Sequence, residues 1–167
     1  MKVILVDVER AYMHIIASRS RTILPMISHE HSIVIRAPLR EVFAYVNAPA
    51  TLSDWMTGMI DIRNIVGDGA GLQYEWTYQM AGIRLRGQNV VVEYIPDECA
   101  AHQSIGMVNA TWKSFVEPHE DGTTLTLQVE YTIPFPVLGR LAEHLTVRRN
   151  ERDLEGYLLN IKDILEG

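Results

Sequence analysis

The sequence has a single cysteine, Cys99, among 167 residues. One thiol cannot form an intramolecular disulfide and cannot alone supply a multi-thiolate zinc site. This scarcity fits a reducing compartment, so we expect a cytoplasmic protein. No apolar run reaches the length of about 18 residues that a membrane-spanning helix needs. Stable membrane insertion is therefore not expected.

Positive charge is also scarce. Fifteen Lys and Arg residues face 21 Asp and Glu, and the net charge is −6. The only adjacent basic pair that stands out is Arg148-Arg149, so the sequence lacks the electrostatic pattern of a nucleic-acid-binding protein. It also lacks a P-loop, a dinucleotide-binding fingerprint and a Gly-x-Ser-x-Gly elbow. His29 and His31 share a strand face without a third ligand. We therefore predict neither a metal site nor a cofactor.

Residues 1–27 are interpreted as an extension that precedes a domain of residues 28–167. An amphipathic helix is predicted in this extension from apolar residues spaced four, four and three apart: Ile4, Val8, Tyr12 and Ile15. It would serve as a packing or homodimer contact, or as a membrane-surface anchor. The latter fits less well, because acidic and basic residues are mixed on its polar face. A third alternative is that translation begins at Met26.

The stretch Ala37–Trp55 predicts two short helices after a first strand, His31–Arg36. Pro38 suits a first helical turn, where a missing N–H costs nothing. The first helix has an apolar stripe of helical period: Leu39, Val42, Phe43 and Val46. A second short helix ends on Trp55.

Period-two alternation dominates the middle of the chain. It predicts six further strands, separated by turn residues: Ile60–Val66, Leu72–Met80, Ile83–Ile95, Cys99–Met107, Ala110–Glu117 and residues 124–133. Helical periodicity returns from Val137 to Leu165. Seven mostly antiparallel strands with a long terminal helix predict an α+β domain.

The order and spacing of these features resemble the START/Bet v 1-like (SRPBCC) superfamily, and most closely its polyketide cyclase/dehydrase and lipid-transport proteins. The residues that carry the resemblance are Ala37-Pro38, Val42-Phe43, Val46, Trp55, Gly67–Gly71, Val92-Glu93, Pro96, Phe115, Glu117-Pro118, Asp121-Gly122-Thr123, Leu158, Lys162 and Leu165-Glu166. The resemblance implies a helix-grip fold. In that fold a curved antiparallel seven-stranded sheet surrounds the long C-terminal helix, two short helices follow the first strand, and an apolar cavity lies between sheet and helix.

Aromatic residues are the main candidates for the cavity wall. Tyr74, Trp76 and Tyr78 share one face of a strand, and each combines an apolar ring with a polar group. Core packing is the alternative for any one of them. Further candidates are Trp55, Tyr94 and Tyr131. Trp112 and Phe115 have opposite strand parity, so only one of them faces inward unless a bulge intervenes.

The fourth strand leaves its register open around Gly87. Val90, Val92 and Tyr94 share a parity that, continued backwards, points Arg86 and Gln88 into the cavity. Arg86 would then need a carboxylate, an anion or a carbonyl as its partner. If Gly87 instead marks a bulge, Arg86 lies in solvent.

The C-terminal helix places His144, Arg148 and Glu151 at positions i, i+4 and i+7, on one side. His144 would act as a general acid or base in the cavity. The alternative is a solvated ion-pair surface near its mouth.

These features predict a protein that binds a small hydrophobic ligand, lipid-like or polyketide-like. The alternative is a cofactor-independent polyketide cyclase or dehydratase, in which Arg86 polarises a carbonyl and Tyr74, Tyr78 or His144 moves protons. A third hypothesis is a regulatory partner whose aromatic side chains fill the cavity.

Overall fold

The computed structural model describes residues 26–80, 82–132 and 147–167, without the side chains of Ile27 and residues 147–151. The predicted extension, residues 1–27, lies outside the described residues except for its last two. Those two residues begin the first strand.

In the part of the chain that the structure describes, one antiparallel sheet of seven strands forms the body of the domain, in the order β1-β7-β6-β5-β4-β3-β2. Its strands are β1 Met26–Ile35, β2 Met59–Val66, β3 Gln73–Met80, β4 Ile83–Ile95, β5 Cys99–Gly106, β6 Asn109–His119 and β7 Gly122–Thr132. Each strand from β2 to β7 pairs with its neighbour in sequence, as short turns favour. Strand β1 pairs with β7, so β1 and β2 form the two edges. The predicted seven-stranded antiparallel sheet is confirmed.

The first strand is longer than the sequence predicts. It begins at Met26 rather than His31, because β7 extends to Thr132 and gives Met26 a partner there. Alternation of apolar and polar residues is weak at the start of this strand, where the apolar Met26 is 66% exposed.

Among the described residues, three α-helices lie on the concave face of the sheet or at its ends: α1 Leu39–Asn47, α2 Leu52–Trp55 and α3 Val147–Glu166. A short 3-10 helix, Pro49–Thr51, joins α1 to α2. The apolar stripe of α1 is buried as predicted, with Val42 and Phe43 at most 2% exposed. The part of the predicted terminal helix before Val147 lies outside the described residues. None of the described helices is both long and apolar enough to cross a membrane.

The core lies where α1 and α3 meet the sheet. Ile35, Leu125 and Ile161 are fully buried there, and Leu158 is 2% exposed. Each such side chain stabilises the fold by about 1.5–3 kcal/mol relative to an exposed position. Burial of the last turns of α3 therefore fixes the helix against β1 and β7.

Side chains of α3 also satisfy backbone groups of the edge strand β1. Lys162 Nζ donates to the carbonyl oxygen of Val34 over 2.5 Å, and Glu166 Oε1 accepts from the backbone N–H of Arg36 over 2.8 Å. The Arg36 guanidinium adds an ion pair with Glu166 at 2.9 Å. The helix therefore replaces a missing neighbour strand at this end of β1.

Glu166 should make stability depend on pH in the acid range. Its hydrogen bond from Lys162, and then those from Arg36, lower its pKa from 4.5 to about 2. A carboxyl with a lowered pKa stabilises the fold above its unfolded value and loses that effect as the pH falls. In wild type this contribution is lost from about pH 4.5 down to about pH 2. We expect Glu166→Gln to lack it.

Urea unfolding of wild type and Glu166→Gln across this range measures the difference. Glu155→Gln is the matched control, because Glu155 is an exposed residue of the same helix. Equal pH slopes for wild type and Glu166→Gln would contradict the assignment.

Candidate functional site

A cavity of about 180 Å³ lies between the concave face of the sheet and helix α3. Most of its wall is apolar, and the aliphatic part includes Val46, Leu52, Met59, Leu127, Val129 and Leu154. One row of directly opposed residues crosses five strands beneath it: Tyr74, Asn89, Ser104, Ala110 and Tyr131. Side chains on one face of adjacent strands converge in this way when the register is regular.

The structure brings five of the eight sequence-predicted site residues to this wall: Trp55, Tyr74, Trp76, Tyr78 and Tyr131. Trp55 is 2% exposed and Tyr74 is 7% exposed. Burial raises the pKa of Tyr74, so its hydroxyl stays protonated. Aromatic side chains therefore form part of the cavity wall, and the Tyr74 hydroxyl among them is protonated.

Trp76 depends on the absence of a side chain at Gly87, its direct neighbour on β4. A Cβ at position 87 would overlap the indole ring of Trp76 and the carbonyl oxygen of Ile105. The absence of a side chain at Gly87 therefore allows the indole of Trp76 to pack directly against the backbone of β4.

Gly87→Ala should displace Trp76 and destabilise the fold by about 2 kcal/mol, a typical cost of overpacking. Urea unfolding followed by tryptophan emission measures both effects. Gly156→Ala on α3 is the control of opposite sign, because a Cβ there meets nothing within 4 Å. Alanine should stabilise that helix by about 1 kcal/mol. Equal stability of Gly87→Ala and wild type would contradict the packing argument.

Of the two orientations that the sequence left open for Arg86, the inward one is wrong. Arg86 and Gln88 are exposed, whereas Leu85 and Asn89 are buried. The cause is a register irregularity between Val91 and Glu93, which reverses the parity of the strand. Parity read backwards from Val92 and Tyr94 therefore gives the wrong face. The solvent alternative for Arg86 is the one observed, although the bulge lies beyond Val91 and not at Gly87.

Tyr94 is partly buried, packs against the core and is not among the cavity-lining residues. Its ring packs edge-on against Phe43 of α1, with the ring centroids 5.2 Å apart. It faces the concave side because the same bulge shifts the alternation of the strand by one residue and turns Tyr94 inward. Tyr94 thus supports α1 on the sheet.

Trp112 and Phe115 face opposite sides of β6, as their spacing predicts. Trp112 lines the cavity, and Phe115 is 37% exposed. His144 lies outside the described residues, so its predicted role stays a prediction.

Tyr157 of α3 is a wall residue that the sequence did not single out. Its hydroxyl donates to the carbonyl oxygen of Thr57 at 3.3 Å and lies 2.7 Å from the hydroxyl of Tyr78. Either hydroxyl of the tyrosine pair can be the donor. Burial raises the pKa of Tyr157, so it stays protonated. The only sequence signal was its position three residues after Leu154 on the buried face.

Polar side chains form a second feature of the wall, centred on Asn47 at the end of α1. Asn47 is 7% exposed, and its Nδ2 donates to the carbonyl oxygen of Phe43 over 2.9 Å. Its Oδ1 accepts from Ser114 Oγ over 2.9 Å and from His102 Nε2 over 3.1 Å. One buried amide therefore connects α1 with β5 and β6.

The chain of hydrogen bonds continues from His102 across the sheet. His102 Nδ1 lies 3.4 Å from Asn89 Nδ2, and Asn89 Oδ1 accepts from Ser104 Oγ over 3.1 Å. Burial lowers the pKa of His102 to about 4, so the imidazole is neutral at pH 7. We call Asn47, Asn89, His102, Ser104 and Ser114 the Asn47 network; all five residues line the cavity.

The chain matches a known protein family and is similar to several solved structures. A family model described as polyketide cyclase / dehydrase and lipid transport matches residues 26–166. TTHA0849 from Thermus thermophilus is 18% identical, with a TM-score of 0.69 over 84% of this chain and 97% of that chain. The Zhui aromatase/cyclase from Streptomyces sp. R1128 is 17% identical, with a TM-score of 0.64 over 85% and 94% of the two chains.

Ara h 8.0201 is 12% identical, with a TM-score of 0.59 over 84% of this chain and 98% of that chain. No curated protein matches the sequence. Structures at these identities show the shared helix-grip fold, and the family match covers the whole of the described domain. The chain therefore belongs to the polyketide cyclase/dehydrase and lipid transport family, within the Bet v 1-like superfamily that its motifs predicted.

Proposed function

We propose that the protein binds a small hydrophobic ligand in the cavity between the sheet and α3. The observation that carries the proposal is an apolar, aromatic-walled cavity of about 180 Å³ inside the domain. An apolar cavity of about 150 Å³ in another protein binds benzene. The space here therefore suits a ligand of one or two fused rings.

The small volume of the cavity favours a polyketide-like ring over a long-chain lipid. Pockets for drug-sized ligands measure about 300–1,000 Å³, and this cavity is smaller. The similar Zhui protein is described as an aromatase/cyclase, which supports the same class of ligand. A bound long acyl chain would contradict this part of the proposal.

A cofactor-independent cyclase or dehydratase in the same cavity is the second candidate. The tyrosine pair favours it, because the hydroxyls of Tyr78 and Tyr157 lie 2.7 Å apart, within the range that proton transfer requires. With Tyr157 protonated, this pair would supply a proton rather than remove one. Arg86 has no part in this candidate, since it faces solvent. Recovery of a chemically changed ligand after incubation would favour the enzyme, and recovery of unchanged ligand would favour the carrier.

A cytoplasmic location also remains a proposal, and it rests on the single cysteine. Homodimer formation through residues 1–27 is proposed on the amphipathic pattern alone. Size-exclusion chromatography of the full chain and of a chain starting at Met26 tests it. Equal apparent masses would contradict the proposed contact.

Native mass spectrometry of the chain purified from its own host tests the binding proposal. We expect a non-covalent adduct of low mass that disappears when the protein is unfolded in acid. Absence of an adduct, together with no binding of added naphthalene, would overturn the proposal.

A further inference from the structure

Hydrogen-bond directions through the Asn47 network follow from one fixed point, the amide of Asn47. Its Nδ2 faces a carbonyl oxygen, that of Phe43, so Oδ1 must be the atom that accepts from His102. His102 Nε2 therefore carries the proton of the neutral imidazole, and Nδ1 accepts from Asn89. This fixes the orientation of the Asn89 amide, and its Oδ1 accepts a hydrogen bond from the hydroxyl of Ser104.

Ser104 stands at the cavity end of this chain of bonds. It is half-buried and lies in the wall, between Asn89 on β4 and Ala110 on β6. Its one hydroxyl proton is committed to Asn89, so the oxygen presents its lone pairs. A group that donates a hydrogen bond complements this oxygen, whereas a group that only accepts does not.

The described part of the wall is mostly apolar, and its acidic and basic residues are His29, His102, Lys113 and Asp153. Lys113 alternates on β6 with the inward-facing Trp112 and Ser114, so its ammonium group lies on the outer face. A charge that a ligand carried into this mostly apolar space without a partner would be costly. An uncharged ligand therefore fits this wall.

We propose that Ser104 is a specificity-determining residue, and that it selects an uncharged ring ligand bearing a hydroxyl group, a phenol or an alcohol. Ser104 Oγ accepts the hydrogen bond from that hydroxyl while the ring lies against the aromatic wall. This assignment rests on the proposed function, since it names the ligand class of the same cavity.

Equilibrium dialysis with naphthalene, 2-naphthol and 2-naphthoate at pH 7 separates the effect of a ligand hydroxyl group from the effect of a ligand charge. A neutral hydrogen bond contributes about 1 kcal/mol, so 2-naphthol should bind about fivefold more tightly than naphthalene. It should also bind at least about tenfold more tightly than 2-naphthoate, which has no proton to donate and brings a charge into an apolar cavity. Ser104→Ala should remove the preference for 2-naphthol over naphthalene.

The matched control is Ser32→Ala, because Ser32 is exposed and its hydroxyl pairs with Thr126 on the outer face. It should preserve all three affinities. Equal binding of 2-naphthol and naphthalene by wild type would overturn the inference and leave the proposed function standing. So would 2-naphthoate binding as tight as that of 2-naphthol, or an unchanged preference in Ser104→Ala. Failure of all three compounds to bind would overturn the proposed function, and the inference with it.

Discussion

Replacement of Asn47 by alanine should lower the free energy of unfolding by about 3 kcal/mol. The change removes the donor to Phe43 and the acceptor shared by Ser114 and His102. Ser114 is 3% exposed, so its hydroxyl cannot recover the lost bond from bulk water. Leaving a buried polar group unpaired costs about 1–3 kcal/mol, which makes this one of the largest single-residue effects expected. Urea unfolding measures it.

Asn160→Ala is the matched control for Asn47→Ala. Asn160 also donates to a backbone carbonyl, that of Trp55, but it is only half-buried and water can take its place. We expect a loss of about 1 kcal/mol there. A similar loss in both variants would contradict the view that the Asn47 network is a buried, mutually satisfied unit.

Ala110→Phe should abolish ligand binding, with at least a tenfold loss of affinity for naphthalene as a rough lower bound. Ala110 lies in the wall between Ser104 and Tyr131. A benzyl group there occupies much of the 180 Å³ and fills space instead of straining packed neighbours. The melting temperature should therefore change little while binding is lost. Equilibrium dialysis and thermal unfolding measure the two quantities.

Thr111→Phe provides the same increase in size on the opposite face of β6. Thr111 pairs with Glu130 and Gln103, away from the cavity. Naphthalene binding should be retained in this variant. Binding that survives in Ala110→Phe, or that is lost equally in Thr111→Phe, would place the ligand elsewhere.

Most of the fold could be predicted because its signals are local. The alternation of Tyr74, Trp76 and Tyr78 with polar residues depends only on the period of a strand, and β3 has the predicted face inward. The stripe of α1 follows from the period of a helix in the same way. The family resemblance then supplied the arrangement of these elements and the position of the cavity.

The candidate site was predictable only in part, because its polar members depend on long-range register. Arg86 was placed inward by continuing a parity across the bulge after Val91, and period alone does not locate a bulge. His102 and Asn89 are unremarkable in sequence, and they meet only because β4 and β5 pair residue by residue. Tyr157 gains its role from a contact with β3 that is 79 residues distant along the chain.

Methyl NMR spectroscopy of the full chain, titrated with naphthalene, locates the ligand on the protein. We expect chemical-shift changes at the cavity methyl groups of Leu127, Val129 and Leu154. The exposed methyl groups of Val66 and Val92 should stay unchanged. Changes confined to the exposed groups, or no changes at saturating naphthalene, would contradict a ligand-binding cavity between the sheet and α3.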